Sequence, residues 1–165
     1  ASRKGLHPEI EGFSITAGNS SGTNDAAAAL VITSEDRAKS EGIATKATIH
    51  GWTSKGIEPA KTGLAVPGVI EKLLSRTGYK QDDIVLYEIN EAFASVPVGA
   101  CKVMGLDEET VNISGSGCSI GHPIGASGAR MITTLCNDLA RRGGGLGIAA
   151  MCAGGGQAGA VLIEV

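Results

Sequence analysis

The last forty residues constrain this chain most. Gly128, Ile132, Leu135, Cys136 and Leu139 recur at helical spacing, and Arg141, Arg142 and Gly143 follow as a stop. That spacing predicts a helix over 124–142. Two aliphatic runs come next, LGIAAMC and GAVLIEV, joined through AGGGQA. They read as two strands of a hairpin. A helix feeding a hairpin must lay its apolar stripe on the sheet, which is an α/β layer arrangement.

The upstream sequence repeats the alternation. KATIHGW, beginning at Lys46, and residues 83–90, DIVLYEIN, read as strands. Between them a helix opens at Val66-Pro67, carries Val66, Ile70, Leu73 and Leu74 on one face, and stops at Gly78. Ser34 with Asp36 reads as the N-cap of a short helix that Gly42 ends. EAFASVPVGACKVMG is predicted to be partly helical, with Pro97 interrupting it. AAAALVIT, from Ala26, is a continuous apolar run whose length does not separate strand from helix. ASRKGLHPEIEG at the start reads as a polar tail or loop, and TAGNSSGTND as turns. No tandem repeat or linker divides the 165 residues.

Composition narrows the function classes. Aromatics are 3% and glycines number 25, so the core is aliphatic and many backbone segments must approach closely. The net charge is −3 and no basic stripe occurs, which argues against a nucleic-acid partner. No apolar run is long enough to span a bilayer, so no membrane partner is expected. Four cysteines lack framework spacing, and the N-terminus lacks a signal-peptide pattern. Free thiols and a cytoplasmic location are expected, with the mitochondrial matrix left open.

Three places carry candidate chemistry. His122 sits among small residues just before the predicted helix, where a ring nitrogen acts as base or as donor to an oxyanion. A buried structural histidine is an equal alternative. Cys152 ends a strand before Ala153-Gly154-Gly155-Gly156, whose N–H groups suit an anion. The alternative is an inert small hydrophobe. Asn90 and Glu91 stand where a strand runs out, the usual place for ligands in open α/β sheets. Read alone, they fit an Asx turn with a solvated glutamate better. Cys136 belongs to the apolar helix stripe. Cys118 lies four residues before His122 but lacks companions at zinc spacing, so no metal is expected. His7 and His50 carry no contextual signal.

NEAFA from Asn90, GHPIGASGAR from Gly121 and CAGGGQ from Cys152 together resemble signature motifs of thiolases. TAGNSSGTNDAAAAL from Thr16 resembles a fourth. The resemblance spans essentially the whole chain. It implies the layered thiolase-like fold, with residues 34–165 forming the C-terminal βαβαββ half. Residues 1–33 would pack with the N-terminal half, and AAAALVI would be a strand of that half's sheet.

The activity implied is Claisen condensation of acyl-CoA, or thiolytic cleavage of 3-ketoacyl-CoA, in lipid metabolism including β-oxidation. Acyl-CoA and CoA are then substrates, and no separate cofactor is expected. The partners implied are the N-terminal thiolase half, in the same or a companion chain, and further copies in a homo-oligomer. By match, His122 activates a nucleophilic cysteine and donates to a thioester oxygen. Cys152 moves the α-proton. Asn90 holds a water that completes one oxyanion hole, and the Gly154 N–H helps make another. Ser21, Ala92 and Phe93 match positions that touch the pantetheine arm.

The family's nucleophilic cysteine precedes everything seen here, and none of Cys101, Cys118 or Cys136 stands in a matching context. The chain alone is therefore expected to be inactive. Thr62-Gly63-Leu64-Ala65-Val66 departs from the family's Met-Gly-x-Gly-Pro, and Cys118 stands where a small or aliphatic residue is usual. A β-ketoacyl synthase shares the fold but has a second histidine where Cys152 stands. A non-catalytic CoA or lipid-carrier module is the reading from another class.

Overall fold

A computed structural model describes residue 12 and residues 14–165 of the chain. The polar stretch before Gly12, with His7, lies outside the described residues. The elements are α1 (Glu35–Glu41), β1 (Thr48–Gly56), α2 (Ala65–Thr77), β2 (Ile84–Ile89), α3 (Ser95–Met104), α4 (Gly117–Ile120), α5 (Ser127–Arg141), β3 (Leu146–Ala153) and β4 (Gln157–Glu164). The strands form one sheet in the order β1-β4-β3-β2. β4 is antiparallel to both β1 and β3, and β2 is parallel to β3. With α2 between β1 and β2 and α5 between β2 and β3, the chain follows the expected βαβαββ order.

Two helices sandwich the sheet. α2 packs on β1, β4 and β3, while α5 packs on β3 and β2. The α2 face buries Val66, Val69, Ile70 and Leu73 against Ile89, Ile148, Ala150 and Leu162. The α5 face buries Met131, Leu135 and Leu139 against Leu86, Ala149 and Ile163. Each large side chain that is fully buried here stabilises the fold by about 1.5–3 kcal/mol. β3 reads apolar on both sides because both its faces are covered.

The ends of the helices follow the sequence signals. Ser34 Oγ accepts from the Arg37 N–H at 3.3 Å, and Gly42 closes α1 with φ +64°. Gly78 closes α2 with φ +81°. At the end of α5, Arg142 is the cap and Gly143, with φ +93°, is the residue beyond it.

Three expectations need correction, and two short elements were not anticipated. Pro97 does not interrupt α3. It lies in the first turn, where no intrahelical N–H is required. α5 begins at Ser127, because Pro123 and the residues after it form a turn capped by Pro123 O. The short helix α4 and the 3-10 turn Pro59–Leu64 carry too little periodicity to be read from sequence. Residues 26–33 are neither strand nor helix, and Val31 is 99% exposed. A strand needs a ladder partner, and among the described residues none lies beside this run.

Candidate functional site

β2 and β3 run parallel, and the Asn90 N–H donates to Ala150 O at 3.0 Å just past the end of β2. This places Asn90 and Cys152 at the same end of the sheet. Asn90 is fully buried. Its Nδ2 lies 3.2 Å from His122 Nε2. On the other side of the ring, His122 Nδ1 is 2.6 Å from Ser127 Oγ, whose hydroxyl donates to Pro123 O at 3.0 Å. With its own proton so committed, Ser127 Oγ accepts from Nδ1–H. The network thus assigns the ring proton to Nδ1 and leaves the Nε2 lone pair facing the Asn90 amide. Burial, and then the nearby Arg130 guanidinium, hold His122 below its ordinary value of 6.5. A neutral imidazole whose Nε2 lone pair meets only the Asn90 amide, at 3.2 Å, is a base able to take a proton.

Asn90 Oδ1 is buried without a partner among the described residues, so the amide keeps an acceptor for an incoming donor. Glu91 is not a solvated side chain. Its Oε1 accepts from Asn112 Nδ2 at 2.9 Å and its Oε2 from the Cys118 N–H at 2.9 Å. Asn112, with φ +52°, also exchanges two 2.8 Å bonds with the Ile89 backbone. Glu91 therefore ties the strand end to the start of α4, which leads into His122. Gly117 in α4 packs so closely that a Cβ there would lie 2.6 Å from Glu91 O.

The predicted pantetheine residues come together. Ser20 bridges Phe93 in antiparallel fashion, the Ser21 N–H donates to Ala92 O at 3.0 Å, and the Ala94 N–H donates to Asn19 O at 2.9 Å. The same segment reaches the histidine, since the His122 N–H donates to Gly22 O at 3.4 Å. Phe93 is left exposed.

Cys152 stands slightly apart. It pairs with Ala158 across the hairpin, and its side chain packs against the α2-face core. Among the described residues no hydrogen bond joins its thiol to His122. Burial pushes the thiol above its ordinary value. Gly154 opens the turn, with nothing within 4 Å of where its Cβ would be, while the Ile57 N–H donates to Gly156 O at 2.7 Å and pins the turn. The thiols of Cys101, Cys118 and Cys136 are also pushed up, chiefly by burial. Among the described residues no three His, Cys, Asp or Glu side chains gather as a metal requires.

Sequence reasoning missed Ser127, Glu88, Arg130 and Asn112. Ser127 and Arg130 lie three apart at the start of α5, on the face turned to the site. Asn112 follows Val111, which makes only an isolated bridge to Tyr87, and no sequence signal marked it.

Comparison with known proteins matches residues 43–165 to the family model described as thiolase, C-terminal domain. The acetyl-CoA acetyltransferase of Escherichia coli (strain K12) is 45% identical over 150 residues, 91% of this chain and 38% of that protein. The chain spans about two fifths of the length of the curated relatives it matches. The crystal structure of the Bacillus anthracis acetyl-CoA acetyltransferase is 44% identical, with a TM-score of 0.89 over 92% of this chain and 38% of that one. A thiolase from Ascaris suum solved in complex with coenzyme A is 35% identical, with a TM-score of 0.83 over 92% of this chain and 39% of that one.

Proposed function

The chain belongs to the thiolase family, and from that premise we propose that it supplies the Asn90–His122 pair and the Cys152 thiol of a site that condenses acyl-CoA or cleaves 3-ketoacyl-CoA with CoA. The observation that carries this reading is the His122 ring, held between Ser127 Oγ at 2.6 Å and Asn90 Nδ2 at 3.2 Å with its proton on Nδ1.

The proposed steps use this geometry. His122 Nε2 takes the proton of the nucleophilic thiol supplied by the N-terminal half. The thiolate attacks a first acyl-CoA, and the imidazolium donates from Nε2 to the thioester oxygen, beside a donor fixed by Asn90. The bond to CoA then breaks, CoA leaves with the proton of the Cys152 thiol, and Cys152 is left as thiolate. In condensation the Cys152 thiolate removes the α-proton of a bound acetyl thioester. The resulting enolate carbon attacks the acyl group on the first-half cysteine and releases that cysteine as a thiolate. In thiolysis the order reverses, and Cys152 returns its proton to the departing enolate carbon. Each well-placed donor to such an oxyanion is worth about 2.7–4 kcal/mol. Ser21, Ala92 and Phe93 line the approach of the pantetheine arm.

Thr62 in the 3-10 turn, where the family has its methionine, and Cys118 at α4 are the two positions proposed to give this chain its own acyl preference. The homologous N-terminal half is the partner that completes the site, a homo-oligomer is the assembly, and the cytoplasm is the location proposed. The 165 residues alone are proposed to be inactive.

The test is thiolysis of acetoacetyl-CoA by the complete protein. Turnover that falls about 10²–10³-fold in His122→Ala supports the reading. A complete protein that binds CoA but neither cleaves nor condenses is the carrier module instead.

A further inference from the structure

β2 carries a buried carboxylate that none of these steps uses. Glu88 is 2% exposed, two residues before Asn90 on the same strand face. Its Oε2 accepts from Arg130 Nη1 at 2.7 Å. Arg130 Nη2 donates onward to Ser116 Oγ at 3.1 Å, and Ser116 is fully buried just ahead of α4. Arg130 lies on α5 three residues after Ser127, the partner of His122 Nδ1.

These contacts close a ring. From Asn90 the path runs to His122, to Ser127, along one turn of α5 to Arg130, across to Glu88, and back along β2 to Asn90. Every link but two is a hydrogen bond of 3.2 Å or less, and those two are a helix turn and a strand, both rigid. Ser116 adds a strut from Arg130 to the segment that leads into His122.

We propose that the buried Glu88–Arg130 pair, braced by Ser116, is a positioning device that holds His122 against Asn90. Neither charge touches substrate in this arrangement. A surface ion pair would not need such enclosure, and a desolvated pair on an apolar helix face is a weak source of stability compared with hydrophobic packing. Its geometry has a use that apolar side chains cannot supply. The guanidinium fork reaches a strand and a loop at once and fixes their separation. Misplacing a catalytic group by about 1 Å costs on the order of 10²-fold in rate.

Arg130 from α5 also lowers the affinity of His122 for a proton, and Glu91 and Asp138 are the other acidic neighbours of Glu88. A ring that loses its seat between Ser127 and Asn90 should lose its single tautomer, which a merely structural pair has no reason to control.

The inference rests on the thiolase reading, so the experiment has two arms. In the complete protein, Arg130→Met, Arg130→Lys and Glu88→Gln are compared for kcat and KM in thiolysis, with folding checked by thermal denaturation. Arg130→Lys keeps a charge but cannot hold Glu88 and Ser116 together, and Glu88→Gln keeps an acceptor. We expect kcat to fall about tenfold to hundredfold in Arg130→Met and less in the two conservative variants, with KM within about twofold. In the second arm, the His122 ring nitrogens are read by NMR at about pH 8 after selective histidine labelling, with assignment from His122→Gln. The parent should show the Nδ1–H tautomer alone, and Arg130→Met a mixture of the two neutral tautomers. Folded variants with unchanged kcat, or with KM raised and kcat kept, overturn the proposal. A parent without thiolysis refutes the functional reading alone, and the tautomer measurement then decides. Mixed tautomers in Arg130→Met uphold the positioning device, and an unchanged single tautomer overturns it.

Discussion

At the residue scale, the four thiols differ more by what they touch than by acidity, since burial raises all of them. Cys152 ends a strand beside an open glycine turn, whereas Cys136 packs against the α5-face core. In the complete protein, Cys152→Ala is expected to lower the condensation rate by roughly 10²–10⁴ and to leave folding nearly intact. Cys136→Ala should keep full activity and cost about 1 kcal/mol of stability. Steady-state rates and urea midpoints check both. Full condensation by Cys152→Ala would remove that thiol from the mechanism.

Two further residues at this scale respond to pH in opposite senses. Burial pushes Glu88 up to about 7, even against the Arg130 guanidinium, from an ordinary 4.5. Between those values the folded chain holds a proton that the unfolded chain has lost, so its contribution to stability declines as pH rises. His122 is held below 6.5, so between its folded value and 6.5 the unfolded chain holds the extra proton. Its contribution declines as pH falls. Gln is neutral at both sites. The stability of Glu88→Gln relative to the parent should therefore climb from about pH 5 to pH 8, and that of His122→Gln should climb from about pH 7 to pH 5. Melting temperatures across the range read this directly, and parallel slopes for the two variants would contradict it.

At the scale of elements, the seating of α5 on β3 depends on the missing side chain at Gly147. A Cβ there would lie 2.9 Å from both Leu135 Cδ1 and Leu139 Cδ1, and those two leucines are fully buried. A Cβ must push against both at once, so Gly147→Ala is expected to lift the helix and cost about 1–3 kcal/mol. Gly125→Ala, with nothing within 4 Å and no left-handed backbone, should be neutral or slightly stabilising. Equal urea midpoints for the two variants would show that the leucines yield. The elements that anchor the site were legible because each is long and periodic. α2 and α5 announce themselves by apolar spacing, and the hairpin by two aliphatic runs around a glycine turn. The NEAFA, GHPIGASGAR and CAGGGQ motifs gave Asn90, His122 and Cys152 directly. The connections between them were not legible. Ser127 and Arg130 act through partners thirty or more residues away or through the ring of a preceding residue, and one-dimensional spacing does not encode such pairings. α4 is one turn whose capping depends on Ser116 and Ser119, too short to show a period.

At the scale of the whole molecule, the two faces of the sheet are unequally covered. α2 spans three strands, but α5 reaches only β3 and β2. Among the described residues, the α5 side of β1 and β4 is left open. A groove of about 220 Å³ lies there, lined by Trp52, Met131, Ile132, Met151 and Val161. Trp52, paired in register with Val161, is 71% exposed, an unusual fate for the chain's one tryptophan. The apolar run 26–32 is exposed as well. Exposed apolar surface of this kind suits an interface, and the missing N-terminal half proposed above is the cover expected for it. The 165 residues prepared alone should therefore bind a hydrophobic dye and associate at micromolar concentration, while the complete protein should do neither through this face. Tryptophan emission offers the sharper measurement. Trp52 should emit as a wet indole in the isolated chain and shift to the blue on association or on addition of the missing half. Trp52→Lys should suppress self-association of the isolated chain without unfolding it, because the side chain contributes little to the core while it stands exposed. A monodisperse, dye-silent monomer whose emission is unchanged by the other half would show that this face is not an interface.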